Sequence, residues 1–328
     1  MCVLKEDGTI LVSVLSNSAK IPVAEVESMT DIIAIYYYAS SFGPCVIGLR
    51  SDGTLSVAGG KDNGSIDLLI EGILNWTDII DISVGNSNMI IGLRSNGTLL
   101  LSKGRVNNFT DSSIDDILNW TDIIEISTGG NNGVLGLRSD GTVLVQPINH
   151  TYDISGIYGW TDIKKVIGAN GRVYGIRNNG TVVAVGHRDA IGMGLVNVED
   201  WTDVVSILNT NRSVIVLRAD GTIFRVGNEP GSAGQIDFHD WTDIIHIALP
   251  GSLVGFKSDG TINITGGLYI DNYRRDVSQW TDIVAIRFRE TAAYGIKSNG
   301  TVVFAGTNYP YNNPNVSSWT NIRTTNYR

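Results

Sequence analysis

The chain is poor in the residues that build disulfide-rich, collagen-like or disordered proteins. Its 328 residues include two cysteines, Cys2 and Cys45, which are too few for a disulfide framework. One bridge between neighbouring repeats is the most they allow, and nothing in the sequence requires it. Seven prolines accompany 38 glycines, a balance typical of a folded chain with many tight turns.

Targeting and membrane signals are also missing from the sequence. Residues 1–7 have no basic flank and no apolar core of signal-peptide length. Residues 32–49 carry no charge over 18 positions, the length at which a membrane helix becomes feasible, but Gly43-Pro44 interrupts them. We therefore expect no membrane segment, and either a cytoplasmic protein by default or a module of a surface protein.

The charge and the histidines exclude further classes of function. Thirty-three acidic against 24 basic residues give a net charge of -9, the wrong sign for binding nucleic acid or an anionic membrane. His150, His187, His239 and His246 lie in different repeats without metal-ligand spacing. No phosphate loop or nucleophile elbow is present. We expect no catalytic residue, no metal and no cofactor; a lyase or hydrolase built from loops is the less favoured reading.

Two motifs occur eight times each along the chain. Trp-Thr-Asp begins at Trp76, Trp120, Trp160, Trp201, Trp241 and Trp280, with variants beginning at Met29 and Trp319. Asp/Asn-Gly-Thr has its glycine at Gly8, Gly53, Gly97, Gly141, Gly180, Gly221, Gly260 and Gly300. Dividing 328 residues by eight gives 41 per copy. Two interleaved eight-fold series indicate a repeat architecture.

Each repeat reads as β-strands. A β-branched run such as 121–126 follows each Trp, a second run such as 134–139 precedes Asp-Gly, and 142–145 forms a third. Asp-Gly or Asn-Gly between two apolar runs predicts a two-residue type I′ hairpin. The stretch before the next Trp leaves a fourth strand open. No segment has an apolar period of 3.6 residues long enough to predict a packed helix.

The repeats predict an all-β fold, a single closed β-propeller of eight blades, with seven as the alternative. Adjacent isoleucines such as Ile79 and Ile80 are expected to point to opposite faces of a strand, so both faces need cover. A ring of blades provides that cover. One domain would span 1–328, with repeats beginning near 29, 76, 120, 160, 201, 241 and 280. Residues 319–328 and 1–13 would form the last blade together, a Velcro closure that removes an open edge.

The repeated residues are expected to be structural. The large aromatic rings would pack between blades and the glycines would form turns; they are Trp76, Trp120, Trp160, Trp201, Trp241, Trp280 and Trp319, with Gly53, Gly97, Gly141, Gly180, Gly221, Gly260 and Gly300. The aspartate after Trp-Thr and the basic residue before each Asp/Asn-Gly could form a charged, ligand-binding ring. We expect them to pair with each other instead, because unpaired buried charges are costly.

The motifs carry a family resemblance. Trp-Thr-Asp-Ile-Ile-x-Ile-x-x-Gly followed by Gly-Leu-Arg-Ser-Asp-Gly-Thr-Val, as at 120–129 with 136–143, resembles the regulator of chromosome condensation repeat family in its short bacterial form. The resemblance covers essentially the whole chain and implies a propeller. It implies several uses: the chromatin-binding exchange factor, which the acidity here argues against; a bacterial β-lactamase inhibitory protein that binds through loops on one face; and binding arrays of surface proteins. One fold therefore leaves the function open.

A candidate binding face follows from the blade geometry. In an up-and-down blade the Asp/Asn-Gly turns share one face, so the variable connections lie on the other. Tyrosine, arginine and phenylalanine are enriched at the energetic centres of interfaces. The candidates on that face are Tyr36, Tyr37, Tyr38, Phe42, Phe109, Tyr152, Arg172, Arg212, Tyr269, Tyr273, Arg287, Arg289, Tyr309 and Tyr311. The alternative for Tyr36 and Tyr38 is that they end the first strand and pack inside.

The sequence favours a non-catalytic protein-binding propeller, an inhibitor or adaptor that acts as a monomer. A lectin-like carbohydrate-binding propeller is the alternative. A lectin predicts the same aromatic and polar residues in most blades, whereas the connections here differ from one repeat to the next. The sequence therefore favours one asymmetric protein partner, with a glycan as the second choice.

Overall fold

Repeated antiparallel sheets make up the described part of the chain. The structure is a computed structural model, and it describes residues 2–12, 21–40, 43–62, 65–66, 68–85, 89–103, 111–128, 133–147, 155–169, 171–186, 195–210, 213–227, 238–249, 252–265, 277–289, 292–306 and 316–324. Two short strands, β1 (Cys2–Leu4) and β2 (Ile10–Val12), pair at the start of the chain. Seven three-stranded sheets follow, and each is a simple meander.

We number the seven sheets in chain order. Sheet 1 comprises β3 (Ile32–Ser40), β4 (Gly43–Arg50) and β5 (Leu55–Gly59), and the small hairpin β6 (Lys61–Asp62) and β7 (Ser65–Ile66) follows it. Sheet 2 comprises β8 (Ile79–Gly85), β9 (Met89–Arg94) and β10 (Leu99–Lys103). Sheet 3 comprises β11 (Ile123–Thr128), β12 (Val134–Arg138) and β13 (Val143–Gln146). Sheet 4 comprises β14 (Ile163–Ala169), β15 (Arg172–Arg177) and β16 (Val182–Gly186).

The later sheets repeat the pattern. Sheet 5 comprises β17 (Val204–Asn209), β18 (Ser213–Arg218) and β19 (Ile223–Gly227). Sheet 6 comprises β20 (Ile244–Ala248), β21 (Leu253–Lys257) and β22 (Ile262–Thr265). Sheet 7 comprises β23 (Ile283–Arg289), β24 (Ala292–Lys297) and β25 (Val302–Gly306). The chain divides into two compact units, each with most of its contacts inside itself. One unit is residues 20–202 and contains sheets 1 to 4, and the other combines residues 1–19 and 203–328. A single domain over 1–328 stays a prediction.

Short helical segments precede several of the repeated Trp motifs. They are α1 (Val23–Glu27), α2 (Leu68–Ile73), α3 (Asp111–Leu118) and the 3₁₀ turns Ser155–Gly159 and Val316–Ser318. Each buries at least one apolar residue, such as Ile117 in α3 or Ile157 in the first 3₁₀ turn. The expectation of no packed helix was therefore wrong, because one or two turns are too short to show a 3.6-residue period. Within the described residues no sheet has a fourth strand.

The Asp/Asn-Gly turns are three-residue hairpins. In the turn after Arg138, the Gly141 N–H donates to the Arg138 carbonyl (3.0 Å) and the Arg138 N–H donates to the Thr142 carbonyl (2.9 Å). Gly141 has φ 79°, whereas Asp140 is not among the residues of positive φ. This is a type I turn closed by a glycine bulge. The type I′ prediction was wrong because only one left-handed residue is present, and it is the glycine.

The repeated aspartate after Trp-Thr has a left-handed backbone in every repeat. Asp31, Asp78, Asp122, Asp162, Asp203, Asp243 and Asp282 have φ between 57° and 62°, and Asn321 has φ 58°. Asparagine and aspartate tolerate this conformation better than other L-residues. The Asp122 carbonyl accepts a 2.9 Å hydrogen bond from the Ser139 N–H, which joins the first and second strands. Backbone geometry, rather than charge, therefore accounts for the repeated aspartate.

Within each compact unit, turn glycines also contact the next sheet. The Ile123 N–H donates to the Gly97 carbonyl at 3.1 Å, and Ile163 and Gly141 make the same bond at 3.0 Å. A Cβ added to Gly97 would lie 3.1 Å from the Asp122 Cα, so a side chain would separate the two sheets. Neighbouring sheets are thus joined by a main-chain hydrogen bond that requires glycine.

The two ends of the chain form one sheet within the unit made of 1–19 and 203–328. Lys5 and Ile322 form an antiparallel bridge. The Arg323 N–H donates to the Leu4 carbonyl at 2.8 Å, and the Glu6 N–H donates to the Asn321 carbonyl at 2.7 Å. The Ile322 N–H also donates to the Gly300 carbonyl at 2.9 Å, as the Ile283 N–H does to the Gly260 carbonyl at 3.0 Å. Residues 319–324 therefore supply a first strand to β1 and β2; closure of a ring stays a prediction.

Within each compact unit, the buried side chains gather between consecutive sheets, as those of sheets 1 and 2 do. Trp120 is 8% exposed, and a Cβ on Gly136 of β12 would lie 2.9 Å from its ring. The first strand, in contrast, has a bulge after its first residue, as between Ile79 and Asp81. Ile80 occupies that bulge and is 51% exposed. The expectation that Ile79 and Ile80 are both covered was therefore wrong, because a bulge breaks the alternation of faces.

The backbone role of the aspartate can be tested at Asp122. We expect Asp122→Asn and Asp122→Gly to keep the free energy of unfolding within about 0.5 kcal/mol, because both residues adopt positive φ readily. Asp122→Val should lose about 1–2 kcal/mol through left-handed strain. Urea unfolding of the three variants measures this. An equal loss in Asp122→Asn and Asp122→Val would show that the carboxylate charge matters instead.

The composite sheet predicts a strong effect of one side chain near the C-terminus. Ile322 is 0% exposed, so Ile322→Ala should reduce the free energy of unfolding by about 2–5 kcal/mol. Ile124→Ala is the matched control, because Ile124 is 56% exposed at a bulge; its loss should stay below about 1 kcal/mol. Similar losses for the two variants in denaturant titrations would mean that residues 319–324 are not packed as described.

Candidate functional site: a groove beside the first strands

Pairing between the first and second strands defines equivalent positions in the sheets. The second strands share a reference position, which is Gly48, Gly92, Gly136, Gly175, Val216, Gly255 and Gly295 in sheets 1 to 7. We call position A the first-strand residue that pairs with the residue just before this reference position. Position A is Tyr36, Ser83, Ser127, Ile167, Leu208, Ala248 and Arg287 in sheets 1 to 7. Position B lies two residues earlier and is Ala34, Asp81, Glu125, Lys165, Ser206, His246 and Ala285.

In the unit of residues 20–202, polar side chains bridge neighbouring first strands. Tyr36 at position A donates its hydroxyl to Oδ1 of Asp81 at position B of the next sheet, at 2.7 Å. The same oxygen accepts the Ile82 N–H at 2.9 Å. Ser83 and Thr128 join sheets 2 and 3 through their hydroxyls at 2.7 Å. The phenol of Tyr36 thus spans the gap between two first strands.

In the unit of residues 1–19 and 203–328, the corresponding space between sheets 6 and 7 belongs to a groove of about 450 Å³ that also reaches Leu208 of sheet 5. Its walls are Leu208, His246, Ile247, Ala248, Leu249, Phe256, Val284, Ala285, Ile286 and Arg287. Ala248 occupies position A of sheet 6 and Ala285 occupies position B of sheet 7. The groove therefore lies where Tyr36 and Asp81 meet in sheets 1 and 2, because two alanines leave that space unfilled.

The groove is amphipathic. Leu208, Leu249 and Phe256 supply apolar wall, and the His246 ring lies 5.4 Å from the Phe256 ring. Arg287 is exposed, and its Nη1 donates to the Ile286 carbonyl at 3.0 Å. No acidic residue is among the described residues that line the groove. Such a surface can hold an apolar group beside an anion.

Few of the predicted face residues are both described and exposed. Tyr37 is 61% exposed in β3, and Arg287 is exposed in the groove. Tyr36 is half-buried and bonded to Asp81, as in the alternative interpretation. Tyr38 is 5% exposed and belongs to the core around Cys45, as the alternative interpretation of Tyr36 and Tyr38 has it. Its position alternates with Tyr37 along the strand, which turns it inward.

The other predicted face residues divide into two groups. Arg289 ends β23, and its side chain lies outside the described part of the structure. The remaining candidates, Phe42, Phe109, Tyr152, Arg212, Tyr269, Tyr273, Tyr309 and Tyr311, also lie outside the described residues.

Arg172 does not lie on a surface. It begins β15 and is 1% exposed, so its prediction as a binding residue was wrong. Residues at the same position of other second strands are also buried, namely Cys45, Met89, Ser213, Ser252 and Ala292. The start of the second strand is therefore interior whatever residue occupies it. Desolvation lowers the pKa of Arg172, and the nearby Tyr174 opposes that effect.

Tyr174 is buried close to Arg172. Its hydroxyl donates to the Leu195 carbonyl at 2.6 Å, and its ring stacks on Trp201 at 6.1 Å. Burial raises the pKa of Tyr174 to about 12, and Arg172 partly offsets this shift. The phenol is therefore a neutral hydrogen-bond donor in the folded protein.

The repeated charges form local surface contacts. Arg94 lies 3.0 Å from Asp78, and Lys297 lies 3.9 Å from Asp282, with each carboxylate more than half exposed. In sheet 4, Asn178 donates to Asp162 instead at 2.6 Å. Exposed pairs of this kind contribute little to stability. In the turns, the Thr54 hydroxyl and N–H bind Asp52 and lower its pKa.

Other classes of site have little support among the described residues. Cys2 is partly buried and Cys45 is buried. Across the described ranges, no three His, Cys, Asp or Glu side chains gather as metal ligands would. Within the same part of the chain, no helix has the length and apolarity to cross a membrane.

Comparison with solved structures identifies the fold. The CRINKLY WD40 ectodomain of the Arabidopsis thaliana receptor kinase ACR4 matches with a TM-score of 0.51 and 12% identity, over 85% of this chain and 96% of that chain. The computationally designed Ika8 protein matches with a TM-score of 0.52 and 15% identity, over 93% and 92%. The fold is a β-propeller.

The chain is also similar to Prp20p, the yeast RCC1 of Saccharomyces cerevisiae, with a TM-score of 0.47 and 13% identity over 85% of each chain. No protein-family model and no curated protein sequence matches the chain. The resemblance to the regulator of chromosome condensation repeat family therefore rests on the repeat motifs, whereas the propeller fold rests on the structural matches.

The sequence interpretation missed most of the groove. Leu208, Ala248, Phe256 and Ala285 are not among the predicted face residues, and the sequence indicated only that His246 lacks metal-ligand spacing. His246 is in fact exposed in the groove. A signal was present, because aligning the repeats on Trp-Thr-Asp places two alanines where sheets 1 and 2 have Tyr36 and Asp81.

The raised pKa of Tyr174 predicts a pH dependence that its phenylalanine variant lacks. Below about pH 10 both states hold the phenol neutral, and the Leu195 hydrogen bond should make the wild type about 1 kcal/mol more stable than Tyr174→Phe. Between pH 10 and about 12 only the unfolded phenol ionises. The wild-type advantage should therefore fall by up to about 1.4 kcal/mol per pH unit. Urea unfolding of both proteins at about pH 8 and pH 11 measures it; a constant difference would contradict the burial of Tyr174.

Proposed function

We propose that this chain is a non-catalytic propeller that binds a protein partner, as an inhibitor or adaptor, through the face where the first strands end. The asymmetry of that face carries the proposal. Tyr37 is 61% exposed there, and the residues at its position in the following sheets are Val84, Thr128, Gly168, Asn209 and Phe288. The residue at this position thus differs among these six sheets, which suits one asymmetric partner.

The same observation weighs against the glycan alternative. A lectin-like propeller needs a repeated aromatic and polar constellation, since each blade would offer an equivalent pocket. Tyr36 is the only aromatic residue at position A in sheets 1 to 7. His246 is the only residue with a ring at position B of the same sheets. The repeated residues, in contrast, belong to the Asp/Asn-Gly turns, where they make the same backbone contacts in each sheet.

The proposal includes a closed ring of eight blades and kinship with the regulator of chromosome condensation repeat family. Seven three-stranded sheets and the composite sheet from both chain ends support eight blades. The hydrogen bond between Gly300 and Ile322 supports the equivalence of the composite sheet, because it matches the bonds between Gly53 and Ile79 and between Gly97 and Ile123.

Tyr37 provides the first test of the binding face. Wild type, Tyr37→Ser and Tyr158→Ser are immobilised, and proteins captured from the lysate and medium of the source organism are compared. Tyr158 is 66% exposed but lies in the 3₁₀ turn Ser155–Gly159, before the first strand of sheet 4 begins, so it is a matched control. We expect a captured protein whose affinity falls at least about ten-fold in Tyr37→Ser, since exposed interface tyrosines are frequent hot spots.

The Tyr158→Ser control shows whether a loss of partner binding in Tyr37→Ser is specific to the binding face. Equal weakening by Tyr37→Ser and Tyr158→Ser would point to general destabilisation or non-specific adsorption, and circular dichroism of both variants separates these. If the affinity of the purified partner is unchanged in Tyr37→Ser, the end of β3 is not the binding surface. Capture of glycans in place of protein would favour the lectin alternative.

A further inference from the structure

We propose that the groove between sheets 6 and 7 receives an aromatic side chain of a partner protein, and that Arg287 binds a carboxylate next to that side chain. The inference deepens the proposed function and rests on it, since it names the chemistry that the partner presents. The groove lies within one compact unit of the chain, so its walls belong to one packed body.

The size of the expected group follows from the equivalent site in sheets 1 and 2. There the side chain of Tyr36 reaches from position A of one sheet to position B of the next and bonds Asp81 at 2.7 Å. In sheets 6 and 7 the same two positions hold Ala248 and Ala285, and both line the groove. The space between first strands that one phenol ring fills in this fold is therefore open to a ring from outside.

The walls suit an aromatic ring. Phe256 stands opposite His246 in the strand pairing and lies 5.4 Å from it, so two rings already share one wall. Leu208 and Leu249 add aliphatic surface. An aromatic side chain buries 150–250 Å² and gains roughly 0.5–1.5 kcal/mol more from edge or offset contact with another ring. An aliphatic side chain would gain only the burial.

The charge of the groove selects a carboxylate as the neighbour of that ring. Of the described lining residues, Arg287 and His246 have ionisable side chains, and the guanidinium of Arg287 is exposed. The whole chain has a net charge of -9, which repels an acidic segment at long range, so the attraction in the groove has to come from Arg287 itself. A guanidinium binds a carboxylate through paired hydrogen bonds. The occupant is thus a polypeptide segment with an aromatic residue followed by an acid.

Peptide binding provides the direct test. Acetyl-Gly-Phe-Asp-Gly-amide is titrated into the ¹⁵N-labelled full chain, and the amide resonances of Ala248, Ala285 and Arg287 are followed. We expect dissociation constants of about 1 mM for a single anchor of this size. Acetyl-Gly-Phe-Asn-Gly-amide and acetyl-Gly-Ala-Asp-Gly-amide should each bind about ten-fold more weakly, since each lacks one of the two contacts.

Variants locate the site. Ala248→Tyr should abolish peptide binding, because the new phenol occupies the groove as Tyr36 occupies its own gap. Arg287→Gln should weaken the Phe-Asp peptide about ten-fold and leave the Phe-Asn peptide unchanged. Lys164→Gln is the charge control, since Lys164 is an exposed first-strand cation outside the groove; it should change neither affinity. If Ala248→Tyr does not fold, Ala248→Val gives a partial block and Arg287→Gln remains decisive.

Several results would overturn the proposal. Binding of the Phe-Asp peptide with the same affinity to Ala248→Tyr or Arg287→Gln would place the site elsewhere, as would shifts confined to other residues. No binding by the wild type at concentrations up to about 10 mM would exclude the groove as an anchor site. Equal affinity for the Phe-Asp and Ala-Asp peptides would remove the aromatic requirement.

The captured partner separates this inference from the proposed function. If the partner binds Ala248→Tyr as well as it binds wild type but is lost from Tyr37→Ser, the propeller binds a protein and the groove proposal fails. If the groove binds the Phe-Asp peptide and Tyr37→Ser has no effect on capture, the groove stands and the Tyr37 surface fails.

Discussion

Within each compact unit, one kind of main-chain hydrogen bond joins neighbouring repeats, and it sets the geometry on which the rest depends. It runs from the residue after the repeated aspartate to the carbonyl of the preceding turn glycine, as from Ile123 to Gly97 at 3.1 Å. Because both partners are backbone groups, the bond survives any change of side chain that keeps the two backbones close. The requirements fall on conformation instead. Glycine must lack a Cβ, and aspartate or asparagine must adopt positive φ.

That division of labour explains why the side chains of the first strands are free to vary. Positions A and B are not needed to hold neighbouring sheets together, since the turns and the packed tryptophans do so. In sheets 1 and 2 they form the contact between Tyr36 and Asp81, and in sheets 6 and 7 they are alanines that leave a groove. The same scaffold can thus fill or open the space between first strands by two substitutions.

The repeats were predictable because their signals are local and occur eight times. Strand order, the turn positions and the contribution of both chain ends followed from the spacing of Trp-Thr-Asp and Asp/Asn-Gly-Thr. The turn type was not, because a type I turn with a glycine bulge and a type I′ turn can share the same Asp-Gly sequence. The exposure of Ile80 was missed for a similar reason, since a bulge shifts the alternation by one residue and leaves no mark in the apolar pattern.

The site was harder to predict because it depends on contacts between repeats. Tyr37 and Tyr38 are neighbours of the same type, yet one is 61% exposed and the other 5%. Arg172 resembled an interface arginine, but its strand position is buried in other sheets too. A residue's type thus says less than its place in the repeat, and the groove illustrates this most clearly. Alanine has no reactive or charged side chain, so Ala248 and Ala285 become informative only by comparison. The same two positions in sheets 1 and 2 hold Tyr36 and Asp81. In a repeat protein the departures from the pattern at equivalent positions, rather than the residues with reactive side chains, are where a binding site is best sought.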